Sequence, residues 1–326
     1  MILIKRLLFL VAIFLSPLIL ILGIIYYLIK RINKEFYFQS FIKVYCLSFG
    51  LSNMLMSKFI SFSQTNFLKK KNLIASELQR SGYYIFDEIL DKKKLYNLIN
   101  ITKNLPCKKN EHNDVKNIFY DNVNPYKLIY AYNSEDLICK KEVLEIVADE
   151  KYKNIARNYF NAEPFLVSVN MWWTTNYSTE ASSEAAQKYH FDLERIKFLK
   201  FFIYLTDVEI DNGPHVYIEG SHKVFSKPFK FLKKFYSRID DYEIEKYYGK
   251  NKIKTVIGKS GTTIVGDTSC FHKGTPVKGK SRLIFEFELA NSLFGAKDHF
   301  NSEIIKNNLT FLEYSKKDKN YFYKYF

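Results

Sequence analysis

The spacing of hydrophobic and polar positions changes character several times along this 326-residue chain. From Leu7 to Ile29 there is no alternation, only 23 uncharged residues in a row, enough to cross the hydrocarbon core of a bilayer as one helix. Tyr26 and Tyr27 close the run where an interfacial aromatic belt would lie, and Lys30 and Arg31 come directly after. The run exceeds the apolar core of a signal peptide and lacks a small-residue cleavage site, so it predicts an uncleaved anchor over residues 1–31. Between Phe36 and Phe67, aromatics, Leu, Ile and Met mix with Ser, Asn and Gln. The segment 32–71 therefore reads either as an amphipathic helix at a membrane interface or as a helix packed on the downstream domain.

From residue 72 onward the rhythm is that of a folded domain. Helical spacing over 72–81 leads into a strand at Tyr83–Phe86, and Asp91 opens a helix with Leu95, Leu98 and Ile99 on its apolar side. Residues 105–133 are polar and irregular, which predicts a loop over a barrel mouth, and Val143–Phe160 reads as one helix. Strands then dominate. Leu166–Thr175, Phe201–Thr206, His215–Ile218, Gly261–Asp267 and Ser281–Leu289 are rich in aromatic and β-branched residues and are separated by turn residues. Asp211-Asn212-Gly213 predicts a hairpin, because Asn-Gly tolerates positive φ at both turn positions. Short strands joined in this way fit a mainly β double-stranded β-helix (a jelly roll, cupin-like) with flanking helices, filling residues 72–326. Residues 223–252 interrupt it with a helix-patterned insertion whose start is basic (Lys223, Lys227, Lys230, Lys233, Lys234). Placed as a lid, it either steers an anionic substrate or is a solvated surface helix.

Alternation also locates candidate chemistry. The last strand sends Arg282, Ile284, Glu286 and Glu288 to one face and Leu283, Phe285, Phe287 and Leu289 to the other. In Leu166–Thr175, Asn170, Trp172 and Thr174 share a face, the one expected to line a pocket. His190-Phe191-Asp192 puts an imidazole and a carboxylate on the same side of an extended segment, and His272 lies further along. Two histidines and one carboxylate make the facial triad that holds non-haem Fe(II) while leaving positions open. His215 comes after the Asn-Gly turn and reads as a strand-edge histidine that hydrogen-bonds structure or substrate.

With these strands and turns, the chain resembles the phytanoyl-CoA dioxygenase family of Fe(II)/2-oxoglutarate oxygenases. The resembling residues are His190-Phe191-Asp192, Asp211-Asn212-Gly213-Pro214, Glu219-Gly220-Ser221-His222-Lys223, Phe271-His272-Lys273-Gly274 and Arg282, with Gly82-Tyr83-Tyr84-Ile85-Phe86-Asp87 upstream. The resemblance implies that His190, Asp192 and His272 ligate iron and that Arg282 binds the distal carboxylate of 2-oxoglutarate, a task suited to its planar fork. Thr275 is a further expected co-substrate contact. The implied reaction consumes O₂ and 2-oxoglutarate, releases succinate and CO₂, and hydroxylates a small-molecule or lipid-linked substrate. Relatives that halogenate carry a small residue where Asp192 stands, so its presence favours hydroxylation. A non-redox cupin-type metalloenzyme and a catalytically silent scaffold are the competing classes; Arg282 argues against the first and the intact ligand set against the second.

Charge changes the picture mainly at the N-terminus. Residues 1–71 carry ten lysines and arginines against Glu35 alone, a large part of the net +15. No recognition motif for nucleic acid accompanies them, and attraction to anionic headgroups explains their placement beside an anchor. The positive-inside rule and the demand for cytosolic 2-oxoglutarate place the catalytic domain on the cytoplasmic side of a single-pass membrane protein. Cys46, Cys107, Cys139 and Cys270 have neither zinc-site nor disulfide-framework spacing. Cys270 reads as a small buried residue beside His272.

Overall fold

Strict alternation along one strand, Arg282–Ala290, sets the centre of the molecule. In the computed structural model, the described residues are 57, 58, 61, 73–108, 119–120, 125–183, 185–192, 195–223, 226–232, 238–293 and 302–325. The strands are β1 (Tyr83–Ile85), β2 (Ile129–Ala131), β3 (Phe165–Thr174), β4 (Phe198–Tyr204), β5 (His215–Ile218), β6 (Ile253–Val256), β7 (Thr263–Gly266), β8 (His272–Gly274) and β9 (Arg282–Ala290). A six-stranded sheet runs β1-β7-β4-β9-β3-β2 and a three-stranded sheet runs β6-β5-β8, with every pairing antiparallel. This is the expected mainly β, jelly-roll architecture with flanking helices.

The large sheet has two chemically different faces. Its outer face packs Phe201 of β4 flat against Phe287 of β9, ring centroids 4.8 Å apart, and Tyr152 meets both rings edge-on. Each such aromatic pair adds about 0.5–1.5 kcal/mol beyond the area it buries. Tyr152 comes from α3 (Glu150–Phe160), which joins α1 (Leu73–Ser81) and α2 (Lys92–Asn104) in the helical layer. The inner face, towards the small sheet, carries Phe202, Tyr204 and Ile284, which cluster with Tyr217, Val256, Ile264 and Cys270, while Trp172 packs against them. Leftover inner positions hold Asn170, Thr174, Lys200, Arg282, Glu286 and Glu288, so these polar groups share the inner face of the sheet.

Several sequence expectations are corrected. Asn212-Gly213 is no hairpin turn: β4 is already flanked by β7 and β9, and the chain crosses to the small sheet to form β5. Gly213 is nevertheless required there, with φ +74 and any Cβ 2.8 Å from the Thr275 carbonyl oxygen. The expected helix over Val143–Phe160 is two helices, because Asp149 turns its carboxylate onto the Lys151 N–H and caps a new start. The loop expected at 105–133 contains β2 and a bridge between Cys107 and Tyr132. Within the insertion, helix occupies Phe229–Leu232 and α4 (Asp241–Tyr248), with a short 3-10 turn at Lys250–Lys252, among the described residues. Among the described residues no helix is long and apolar enough to cross a membrane; the Leu7–Ile29 run, and all but three residues of the 32–71 segment, lie outside them.

Candidate metal and co-substrate centre

His190 and His272 come from distant parts of the chain and are tied together by backbone. Each donates its N–H to the other's carbonyl, at 3.0 and 2.8 Å, and their ring centroids lie 4.2 Å apart. The Asp192 N–H donates to the Thr268 carbonyl at 2.8 Å. Donor atoms of His190, Asp192 and His272 all fall within 4.8 Å of one another, as one metal ion would require.

The turn after β5 supports this bridge. The Ser221 hydroxyl accepts the Phe271 N–H at 2.8 Å, and the Ile218 N–H donates to the Phe271 carbonyl at 2.9 Å, so the strand bearing His272 is held from both sides. His222 Nε2 donates to the Gln79 carbonyl at 3.2 Å near the end of α1, the local capping role its turn position implies. Gly82 sits under this junction with φ +86; a Cβ there would lie 2.2 Å from Cys270 Sγ.

The tautomers of both imidazoles are set by their partners. His190 Nδ1 faces the Lys188 carbonyl and His272 Nδ1 the Cys270 carbonyl, each at 2.9 Å. A carbonyl only accepts, so each Nδ1 carries the proton and each Nε2 offers a lone pair towards Asp192, 3.9 Å away for His190 and 3.7 Å for His272. Burial holds both rings neutral: it lowers the pKa of His190 to about 3, helped by His272, and lowers that of His272 against the pull of Asp192. Burial alone would raise Asp192, but Lys200 and the two imidazoles pull it below the usual carboxylate range. Lys200 Nζ donates to Asp192 Oδ2 at 2.9 Å. A carboxylate with two neutral imidazoles is a donor set suited to a divalent cation such as Fe(II).

Arg282 lies between the same two sheets, beside Gly274 of β8 and Gly213. It is 4% exposed, and its sole hydrogen bond among the described residues is from Nη2 to Thr174 Oγ1 at 3.4 Å. Nε and Nη1 have no acceptor among them. Burial lowers its pKa to about 10, so it stays cationic at neutral pH. An unsatisfied buried guanidinium is costly unless a ligand fills its fork. Nη2 lies 3.8 Å from the Cβ position at Gly274, two residues along β8 from His272, and two strand residues cover about 7 Å. A five-carbon dicarboxylate has the length to chelate at the triad and reach Arg282, so the residues fit 2-oxoglutarate.

The other expected site residues divide. His215 is buried beside this end, its N–H donating to the Tyr204 hydroxyl at 3.1 Å, and it is outside the metal-ligating group. Burial, followed by the Arg282 charge, lowers its pKa well below the ordinary value. Thr275 spends its hydroxyl on the Pro214 carbonyl at 3.0 Å, whereas Thr174 contacts Arg282 directly. Asn170 donates to Glu286 Oε1 at 3.1 Å, and Trp172 packs on the inter-sheet cluster. Trp173 points the opposite way, stacking on Tyr120 at 4.0 Å. Sequence reading missed Lys200 and left Glu286 as a position on a face. Lys200 is one lysine among many, but an alternating strand that buries charged residues is a detectable signal. Burial raises the Glu286 pKa to about 7, with Lys200 and Asn170 opposing.

Comparison with known proteins agrees with this layout. The family model described as phytanoyl-CoA dioxygenase matches residues 78–283. Among solved structures, HygX from Streptomyces hygroscopicus with nickel and 2-oxoglutarate bound is similar with a TM-score of 0.52 at 13% identity, over 72% of this chain and 92% of that one. The apo form of HygX gives 0.50 at 12% identity over the same shares. At such identities the likeness speaks for the fold. No curated protein matches the chain.

Proposed function

This chain belongs to the phytanoyl-CoA dioxygenase family of Fe(II)- and 2-oxoglutarate-dependent oxygenases, and from that premise we propose that it hydroxylates an organic substrate bound between its two sheets. The observation that carries this reading is a three-donor cluster and an unsatisfied buried Arg282 brought together between the same two sheets. When bound, the iron supplies O₂ activation coupled to decarboxylation of 2-oxoglutarate, yielding succinate and CO₂. His190, Asp192 and His272 hold the metal on one face, with their free Nε2 and carboxylate atoms turned to a common point. Arg282 fixes the distal carboxylate and Thr174 orients the guanidinium. Lys200 keeps Asp192 ionised before the metal arrives. Tyr204, Ile284 and Phe202 exclude water from the space between. Trp172, Asn170 and Glu286 then face the substrate.

The Leu7–Ile29 run and the basic residues behind it support a second part of the proposal: a single-pass anchor over 1–31 and a lipid-facing 32–71 segment hold the domain at the cytoplasmic membrane surface. Alkaline carbonate extraction tests this, since an anchored chain stays with the membrane pellet and a chain released by carbonate contradicts the anchor. For the reaction, purified protein is supplied with Fe(II), 2-oxoglutarate and O₂ and assayed for succinate formed without added substrate. Slow turnover that depends on all three and is lost in Asp192→Ala supports the oxygenase. Absence of 2-oxoglutarate consumption and binding in the intact protein contradicts it.

A further inference from the structure

The insertion delivers one residue to the metal centre. Ile239 forms a bridge with Tyr189, its N–H donating to the Tyr189 carbonyl at 2.8 Å, immediately before His190. Two ion pairs clamp the same stretch: Lys273 Nζ to Asp241 Oδ2 at 2.5 Å, beside His272, and Lys188 Nζ to Asp240 Oδ1 at 3.9 Å. Residues 239–241 are thereby fastened next to both metal-ligating histidines. Arg238 directly precedes them. It is half-buried, close enough for its charge to act on Asp192, His190 and His272, and no hydrogen bond or ion pair holds its guanidinium among the described residues.

Charge at the centre gives this residue a purpose. The iron with Asp192 and a doubly charged 2-oxoglutarate is compensated by Arg282, and Arg195 pairs with Glu288 on the cavity wall. Lys200 pairs with Asp192, a charge already counted against the metal. Lys200 and Arg238 are therefore left as positive charges beside the metal-ligating residues. Two cations crowding a divalent metal are unfavourable unless a further anion arrives.

We propose that the substrate enters with an anionic group, a carboxylate or a phosphate ester, and that Arg238 of the insertion binds it. This rests on the oxygenase reading and adds the substrate class. Arginine suits the task because its fork matches both anions bidentately. The lysines that make the insertion look basic in the sequence are not needed for it; Arg238 acts through its place beside His190.

The test uses the full chain loaded with Ni(II) and 2-oxoglutarate, which block the triad and Arg282. Binding of glycerol 3-phosphate, glycerate and glycerol is measured by ligand-observed NMR, and 2-oxoglutarate occupancy is measured in the same samples. One or both anions should bind and glycerol should not. Arg238→Gln should weaken anion binding by roughly tenfold or more, Arg238→Lys should restore part of it, and 2-oxoglutarate occupancy should not change. Phosphate preferred over carboxylate, or the reverse, supports the proposal and tells the two sources apart. Glycerol binding as well as the anions overturns it. So does unchanged anion binding in Arg238→Gln, or loss of 2-oxoglutarate instead, which would assign Arg238 to the co-substrate. An intact chain that takes up no 2-oxoglutarate overturns the oxygenase reading and this inference with it.

Discussion

The two ends of the site between the sheets, the triad and Arg282, are built on opposite terms. At the triad end, polar groups already have partners: both Nδ1 atoms donate to backbone carbonyls and Asp192 accepts from Lys200. At the other end Arg282 is buried with two of its nitrogens unused among the described residues. One end is organised before any ligand arrives, and the other is held at a cost that only a ligand removes. Rigidity where a metal must find three atoms at fixed positions, and unspent hydrogen bonding where a carboxylate must be captured, are both forms of preorganisation.

Five substitutions sharpen that contrast. Arg282→Met should weaken 2-oxoglutarate binding by about a thousandfold, about 4 kcal/mol, while leaving the ligand-free protein as stable as before or more so. Calorimetric titration beside thermal unfolding checks this, and a destabilised ligand-free variant would show that Arg282 is structurally satisfied after all. At the organised end the order reverses. Asp192→Ala should abolish metal binding and also destabilise the metal-free protein by about 3 kcal/mol, because it removes one side of a buried ion pair; denaturant unfolding in chelator measures it.

The Glu286 carboxyl, lying between the two ends, gives a pH readout. Burial raises its pKa from the ordinary 4.5 to about 7. Between those values the unfolded chain has released this proton while the folded chain retains it, so stability falls as pH rises. The contribution is fully present below about pH 4.5 and lost once pH passes about 7, a change of about 3 kcal/mol. Glu286→Gln should remove that slope, and parallel curves for both proteins would contradict the assignment. The smallest effect belongs to Thr275→Val. Its hydroxyl donates to Pro214, so stability should shift by about 1 kcal/mol or less and 2-oxoglutarate affinity should stay within about twofold, whereas Thr174→Val should weaken it measurably.

How much of this was legible in the sequence depends on how local the causes are. Alternation along Arg282–Ala290 was readable because each step places a side chain on a known face, and β9 pairs as that pattern implies. The spacing of His190 and Asp192 was readable for the same reason. Features that depend on partners far away in the chain were not readable. The Asn212-Gly213 turn looks the same whether it closes a hairpin or carries the chain to another sheet, and only occupation of both edges of β4 decides. Thr275 is the expected contact because it lies three residues after His272 in sequence, yet register across β3 and β9 brings Thr174 opposite Arg282. Lys200 gave no sign of its role, since its contact with Asp192 depends on how β4 is placed beside the metal-binding segment. The helix at Leu309–Lys317 and the buried Tyr321 behind it were also unforeseen, although the Tyr321 carbonyl accepts the Leu166 N–H at the start of β3.

The central claim is that the triad and Arg282 serve one bound co-substrate. Anaerobic titration of 2-oxoglutarate into the intact protein, with and without Fe(II), tests it most directly. A single binding event that tightens with Fe(II), is lost in Arg282→Met and loses its metal dependence in Asp192→Ala is the predicted result. No binding, or binding indifferent to both the metal and Arg282, would contradict it.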